Sequence, residues 1–277
     1  MVTPQQRVIV LRAEAEDFKN YLNELPAEAW SQPSACAGWT IADVVGHLYG
    51  QNFASRITRG LEGDASPPEG APAVADHDED RFAEDIFQRA LSNREQHGEN
   101  LLESFIPRLD ESVQVFNNVG PDDWNKPCYW PPGPEPVRVL LDMRIAELTM
   151  HAWDIRSTTD TGYHLSDDSV GVLMQTVDRA VRRAFRPDEG IQQPIRYRFN
   201  VIGPYEAACD IVMTNQRTHI EPCNAQPADV TFRCDGETYV LVMYGRLSPD
   251  DAMAQGRLTF QGDTELAESF GRRFKGG

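Results

Sequence analysis

No apolar run in this chain approaches the roughly 18 to 20 residues needed to cross a bilayer. The opening residues, MVTPQQRVIVLRAEAEDF, carry charges where a secretory leader needs an apolar block, so the sequence reads as that of a cytoplasmic protein with no membrane partner. Long basic runs are missing as well. With 26 Lys and Arg against 43 Asp and Glu the formal charge is −17, and pairs such as Arg272 and Arg273 are too short to reverse that field. Nucleic acid is therefore excluded as a partner. Cysteine is scarce: Cys36, Cys128, Cys209, Cys223 and Cys234 are odd in number and form no CxxC, which supports neither a zinc knuckle nor a disulfide framework. No internal repeat is visible.

What remains is an ordinary soluble composition, 40% hydrophobic and 25% charged, in 277 residues. That length favours two domains. Apolar residues recur at helical spacing from Gln5 to Leu25, where Pro26 ends the run, and again from Thr40, a good N-cap, to Gly63. Residues 64–79 are rich in Pro, Ala and acid and read as an exposed linker. Helical periodicity returns from Asp80 to Val119, with a bend expected at Pro107, and after a Pro-rich crossover at 120–136 it returns from Val137 to Thr158. A further helix is expected at Asp167–Phe185. Then the period changes: IRYRFNVIG, ACDIVMT, THIEPC, DVTFRC and RLTFQGD read as short strands, interleaved with helical pieces near 236–244 and 265–274. The expected fold is thus a four-helix bundle over residues 1–160 followed by a small α+β domain over 161–277.

The last bundle helix raises the functional question. Its apolar face is Leu141, Ile145, Leu148, Ala152 and Ile155, yet Arg144, Glu147, His151 and Asp154 follow at i, i+3, i+7 and i+10, one narrow line on the remaining face. The helix after Thr40 repeats the pattern, with Thr40, Asp43, His47 and Gln51 lining the side away from Ile41, Val44, Val45 and Leu48. In a bundle two such lines can share one cavity, where His47, Glu147 and His151 would form a two-nitrogen, one-oxygen set suited to a catalytic divalent metal. Asp43 and Asp154 could then orient the imidazoles. From the residues alone, a Glu and a His at i, i+4 fit a solvated helix face better than a metal site.

The stretches LPAEAWSQPSACAGWTIADVVGHL and RIAELTMHAWDIRS resemble the mycothiol-dependent maleylpyruvate isomerase family, which belongs to the DinB/YfiT-like metal-binding four-helix bundles. Many of its members append a domain similar to sterol carrier proteins, a pattern matched by GRLSPDDAMAQGRLTFQGD at Gly245–Asp263. The resemblance covers nearly the whole chain and is weak at 60–125. It implies a divalent metal, zinc in most members with nickel or iron as alternatives, held by His47, Glu147 and His151. It also implies a low-molecular-weight thiol cofactor such as mycothiol, and an Arg246 that holds a carboxylate of substrate or cofactor. Beside these, Arg144 and Trp39 are candidate cofactor-binding residues and Asp154 a candidate catalytic one that steers His151.

The expected activity is a metal-dependent thiol transferase or isomerase, in which the metal activates the thiol for attack on a small electrophile. The expected partners are that thiol and its electrophilic substrate, and the chain is expected to be a monomer or homodimer. Two rivals stand beside this reading. One is iron(II)-dependent sulfur oxidation, since two histidines and a carboxylate also suit iron. The other is a non-catalytic module that binds lipid or another small molecule through its C-terminal domain. Cys36 lies near the proposed site but reads more readily as a structural thiol.

Overall fold

The computed structural model describes residues 2–69, 71 and 78–275. Part of the linker expected at 64–79 therefore lies outside the described residues. The chain divides into two compact units, Met1–Tyr163 and His164–Gly277.

The first unit is helical. Helix α1 (Pro4–Glu24) starts at a capping box in which Thr3 and Gln6 satisfy each other's backbone N–H, and it buries Leu11, Ala15, Phe18 and Leu22. Helix α2 (Ile41–Tyr49) starts at a second capping box, Thr40 with Asp43. The chain then leaves helical geometry through Gly50 to Asn52 before α3 (Phe53–Leu61), so the single helix expected at 40–63 is two. Gly50 also lies close to a neighbour: a Cβ there would stand 2.8 Å from Asn93 Nδ2, on helix α4 (Glu79–His97).

The bend expected at Pro107 is displaced in the same way. It falls at Gly98, whose φ of +52° suits glycine, while Pro107 is carried inside α5 (Leu101–Asn117). The crossover that follows closes on itself as a two-residue ladder, β1 (Pro127–Cys128) against β2 (Glu135–Pro136). It leads into α6 (Val137–Thr159), which packs against α1, α2 and α3 and is buried on nearly every face, Arg144, His151 and Asp154 included. A helix so enclosed must find partners for its polar groups inside the bundle.

The second unit begins with α7 (Asp167–Thr176) and α8 (Asp178–Ala184), two pieces where one helix was expected, separated at Val177. A five-stranded sheet follows, built from β3 (Ile195–Ile202), β4 (Ala207–Met213), β5 (Thr218–Pro222), β6 (Val230–Asp235) and β7 (Thr259–Gly262), in the order β5-β4-β3-β6-β7. Only the β3–β6 pair is parallel. Alternation in β3 sends Ile195, Tyr197, Phe199 and Val201 to the core and Arg196 and Arg198 to the other face. Helices α9 (Gly236–Met243), α10 (Pro249–Ala254), α11 (Thr264–Glu268) and α12 (Phe270–Arg273) complete the unit. The α-helical bundle and the α+β unit are the fold class the sequence implied.

Candidate functional site

Helices α2 and α6 bring His47, Glu147 and His151 together. Glu147 Oε2 lies 3.1 Å from His47 Nε2 and 3.4 Å from His151 Nε2. The two imidazoles meet edge to face, with ring centroids 4.8 Å apart. Glu147 reaches solvent, its side chain 31% exposed, whereas those of His47 and His151 are 12% and 11% exposed. The cluster is thus largely buried, with Glu147 its most exposed member.

Each imidazole is held differently. Burial pushes the pKa of His47 below the ordinary histidine value, against the opposing effect of its hydrogen bond to Glu147. Burial acts on His151 in the same direction but is outweighed by Asp154, Cys36 and Glu147, which raise it well above that value. The Asp154 bond is the short one, Oδ2 to His151 Nδ1 at 2.9 Å, and it fixes the ring so that Nε2 faces Glu147. For Glu147, burial is overcome by hydrogen bonds from both histidines, and the carboxyl sits well below its usual range.

Gln51, one turn after His47, ties the cluster to Arg144. An arginine can only donate, so Arg144 Nη1 bonded to Gln51 Oε1 at 2.5 Å turns the Gln51 amide nitrogen toward His47 Nε2 at 2.9 Å and Glu147 Oε2 at 2.5 Å. Arg144 is itself 2% exposed, lies over the Phe53 ring at 5.3 Å, and its Nε has no hydrogen-bond partner among the described residues. Burial lowers its pKa to about 10. Trp39 covers the two histidines, its ring centroid 5.3 Å from His47 and 6.5 Å from His151.

The sequence reading did not give Gln51 a role in the site; the i+4 spacing from His47 was the available signal. It also offered Asp43 as an orienting group for a histidine. In the structure Asp43 caps α2 through Thr40 and pairs with Arg94 at 3.0 Å instead. Cys36 stands closer to the chemistry than its structural reading suggested: Sγ donates to Asp154 Oδ2 at 3.0 Å and lies 3.9 Å from His151 Nδ1. Arg246 belongs to the second unit, where Nη1 donates to the Tyr244 carbonyl at 3.0 Å.

The donors fit a divalent cation. Tetrahedral ligands about 2.0 to 2.1 Å from zinc stand about 3.3 Å from one another, close to the two separations from Glu147. His47, Glu147 and His151 each offer one ligand atom within 4.8 Å of the others. Two nitrogens and one carboxylate oxygen leave coordination positions open.

A helical bundle with a histidine–glutamate–histidine cluster on its inner face, joined to an α+β unit, defines a recognisable class of two-part proteins. Residues 11–156, more than half of the chain, match the family model described as the mycothiol maleylpyruvate isomerase N-terminal domain, and the chain belongs to that family. Residues 194–275 match the SCP-2 sterol transfer family. The crystal structure of the mycothiol-dependent maleylpyruvate isomerase, like that of a point mutant of it, shares the fold with a TM-score of 0.61 over 95% of both chains at 14% identity. A 48-residue stretch is 44% identical to uncharacterized proteins of Mycobacterium tuberculosis strains CDC 1551 / Oshkosh and ATCC 25618 / H37Rv, and it spans 17% of this chain and 19% of theirs. Among the described residues no helix is long and apolar enough to cross a membrane.

Proposed function

We propose that this chain is a thiol-dependent enzyme, a mycothiol-type isomerase or S-transferase, whose bundle holds a divalent metal ion through His47, Glu147 and His151. The observation that carries this reading is the convergence of those three donors from α2 and α6 in one largely buried cluster. A cation there would supply positive charge that makes the thiol of the cofactor a better nucleophile at neutral pH. Zinc suits the donor set, and nickel or iron are the alternatives.

The chain's own residues supply the rest. Asp154 accepts the His151 Nδ1 proton and keeps Nε2 turned toward Glu147. Trp39 walls the cluster over both rings and would exclude water from the reacting thiol. Arg144, a buried cation whose Nε lacks a partner, would hold a carboxylate or another anionic group of thiol or substrate. The electrophile is then a small conjugated molecule: thiol addition turns its double bond into a single bond that can rotate, and departure of the thiol restores it. Arg246, assigned a carboxylate of substrate or cofactor by the resemblance, enters as a separate contact; Arg246→Ala should raise KM at unchanged metal content.

Elemental analysis of protein purified without added metal tests the reading. About one equivalent is expected in the wild type and about none in His47→Ala, with thiol-dependent turnover lost in the variant. Full turnover without metal, or metal retained by His47→Ala, overturns the assignment. The metal found also decides between zinc-assisted thiol chemistry and iron-dependent oxidation.

A further inference from the structure

His151 faces two groups of donors, one with each ring nitrogen. Its Nε2 looks toward Glu147 and His47, as described above. Its Nδ1 looks toward a second trio completed by Asp154 Oδ2 at 2.9 Å and Cys36 Sγ at 3.9 Å, with sulfur and carboxylate 3.0 Å apart. We propose that Cys36, His151 and Asp154 form a second cation position, selective for soft, thiophilic dications and exclusive of the first.

Three features carry this. First, the placement is built. Cys36 lies on the loop between Gln32 and α2, and Ala35 N donates to the Asp154 carbonyl at 2.8 Å, which fastens that loop to α6. Trp39 N closes the turn onto the Cys36 carbonyl at 3.0 Å, and Gly38 supplies the φ of +79° that the turn requires. Second, the spacing fits. Ligand atoms at about 2.3 Å for sulfur and 2.0 to 2.1 Å for nitrogen and oxygen stand about 3.3 to 3.5 Å apart around a tetrahedral ion. The three observed separations bracket that value, and small side-chain rotations bring them to it. Third, the donors are of the right kind: Asp154 is 1% exposed, so its charge is undiluted by water, and Cys36 is half-buried, so a cation has a way in.

Sulfur sets the selectivity, because a thiolate favours soft ions over the harder ions that a carboxylate prefers. Binding forms a metal–sulfur and a metal–nitrogen bond and displaces two protons, the thiol's, which goes to solvent, and the one His151 Nδ1 shares with Asp154, which leaves the ring nitrogen for solvent or for Nε2. Exclusion follows from valence. The two trios share one ring: an imidazole that keeps a single N–H has one lone pair, so a cation on Nδ1 leaves the ring proton on Nε2, pointing at Glu147 where the first trio needs an acceptor. A soft ion at Cys36 would therefore silence the other position without touching His47.

Cadmium chloride, added to the metal-free full-length chain, is the probe. The background carries Cys223→Ser to remove the exposed thiol. The readout is the ultraviolet thiolate-to-cadmium charge-transfer band, which oxygen and nitrogen ligands do not give. The expected result is a band saturating at one equivalent, kept in His47→Ala within about threefold in affinity, and weakened at least tenfold in Cys36→Ser. Asp154→Asn, which preserves shape, should weaken it as well and guards against misfolding of the Cys36 variant. No band, a band that survives Cys36→Ser, or one that disappears with His47→Ala overturns the proposal. The last variant also keeps the two readings apart, since it removes a ligand of the first trio and none of the second.

Discussion

Both units have apolar cores, but they differ in what else they bury. In the bundle a single helix, α6, carries Arg144 at 2%, His151 at 9% and Asp154 at 1% exposure into the interior. In the α+β unit the core is a pile of rings: Phe232 lies 4.9 Å from Phe199 and 5.3 Å from Phe270, and Phe270 stacks on Phe274 at 4.7 Å. Polar groups inside a protein add little net stability and are costly when unmatched, while buried aromatic rings contribute on the order of 25 cal/mol for each Å² withdrawn from water. The bundle interior thus adds a polar cluster to its apolar core, while the second interior is dominated by aromatic rings. The sterol-carrier likeness therefore comes with an interior occupied by the protein's own rings.

The strongest way to break the comparison is to hollow out the cohesive unit. Phe232 is fully buried at the centre of the ring cluster, and Phe232→Ala should cost about 3 to 5 kcal/mol. The sequence provides a way to see where the cost falls. All five tryptophans, Trp30, Trp39, Trp124, Trp130 and Trp153, lie in the first unit, so their fluorescence follows the bundle while far-ultraviolet circular dichroism follows both units. In urea the dichroism transition should move to lower concentration and the fluorescence transition should stay. Loss of bound metal along with it would contradict that separation.

A smaller effect tests the one buried charge on the sheet. Asp210 is fully buried and takes Arg198 in a two-pronged pair, Nε to Oδ1 at 2.8 Å and Nη2 to Oδ2 at 2.9 Å, with Arg196 Nη1 on Oδ2 at 2.8 Å. Arg198 first, then Arg196, hold its carboxyl below the usual carboxylate range. A depressed folded pKa means stability that is present above the unfolded value, about 3.9, and is lost as pH falls through the lower folded value. The arginine side chains are 15% and 18% exposed, so water screens the pair, and Asp210→Asn should cost about 2 kcal/mol near neutrality rather than the larger figure for a dry pair. Below about pH 4 the variant and wild type should converge. A constant difference down to pH 2 would place the stabilisation elsewhere.

How much of this was legible in the sequence divides along the same line. The strands were readable because IRYRFNVIG and its neighbours are rich in Val, Ile, Phe, Tyr and Thr between turn residues, a signal that lives in each strand alone, and β3 and β6 also alternate with period two. Helical spacing put His47, Glu147 and His151 on polar lines, but the family resemblance is what singled them out, and the structure brings the three together. Three things were not. The break between Gly50 and Asn52 and the left-handed turn at Gly98 replaced a continuous helix and a bend at Pro107, and no proline marks either place. Gln51 was unremarkable among polar residues until Arg144 fixed which way its amide faces. Cys36 lies more than a hundred residues from Asp154, and only the pinned loop joins them.

The smallest expected effect probes the junction between stability and site within the bundle. Thr40 Oγ1 accepts from Asp43 N at 3.2 Å and donates to Asp43 Oδ2 at 2.6 Å, and Asp43 in return accepts from Thr40 N at 2.8 Å. Thr40→Ala removes the hydroxyl half of that box and should cost about 1 kcal/mol, read as an earlier fluorescence transition in urea. Asp43 keeps its pairing with Arg94, so the first turn loosens without leaving a bare buried charge. His47 stands two turns further along α2, where its Nε2 still lies beside Gln51 and Glu147. Metal content should therefore survive, and affinity should fall by less than the stability does. If the fall were tenfold or more, the position of His47 would depend on the helix start, and the separation between holding the bundle and holding its chemistry would end at α2.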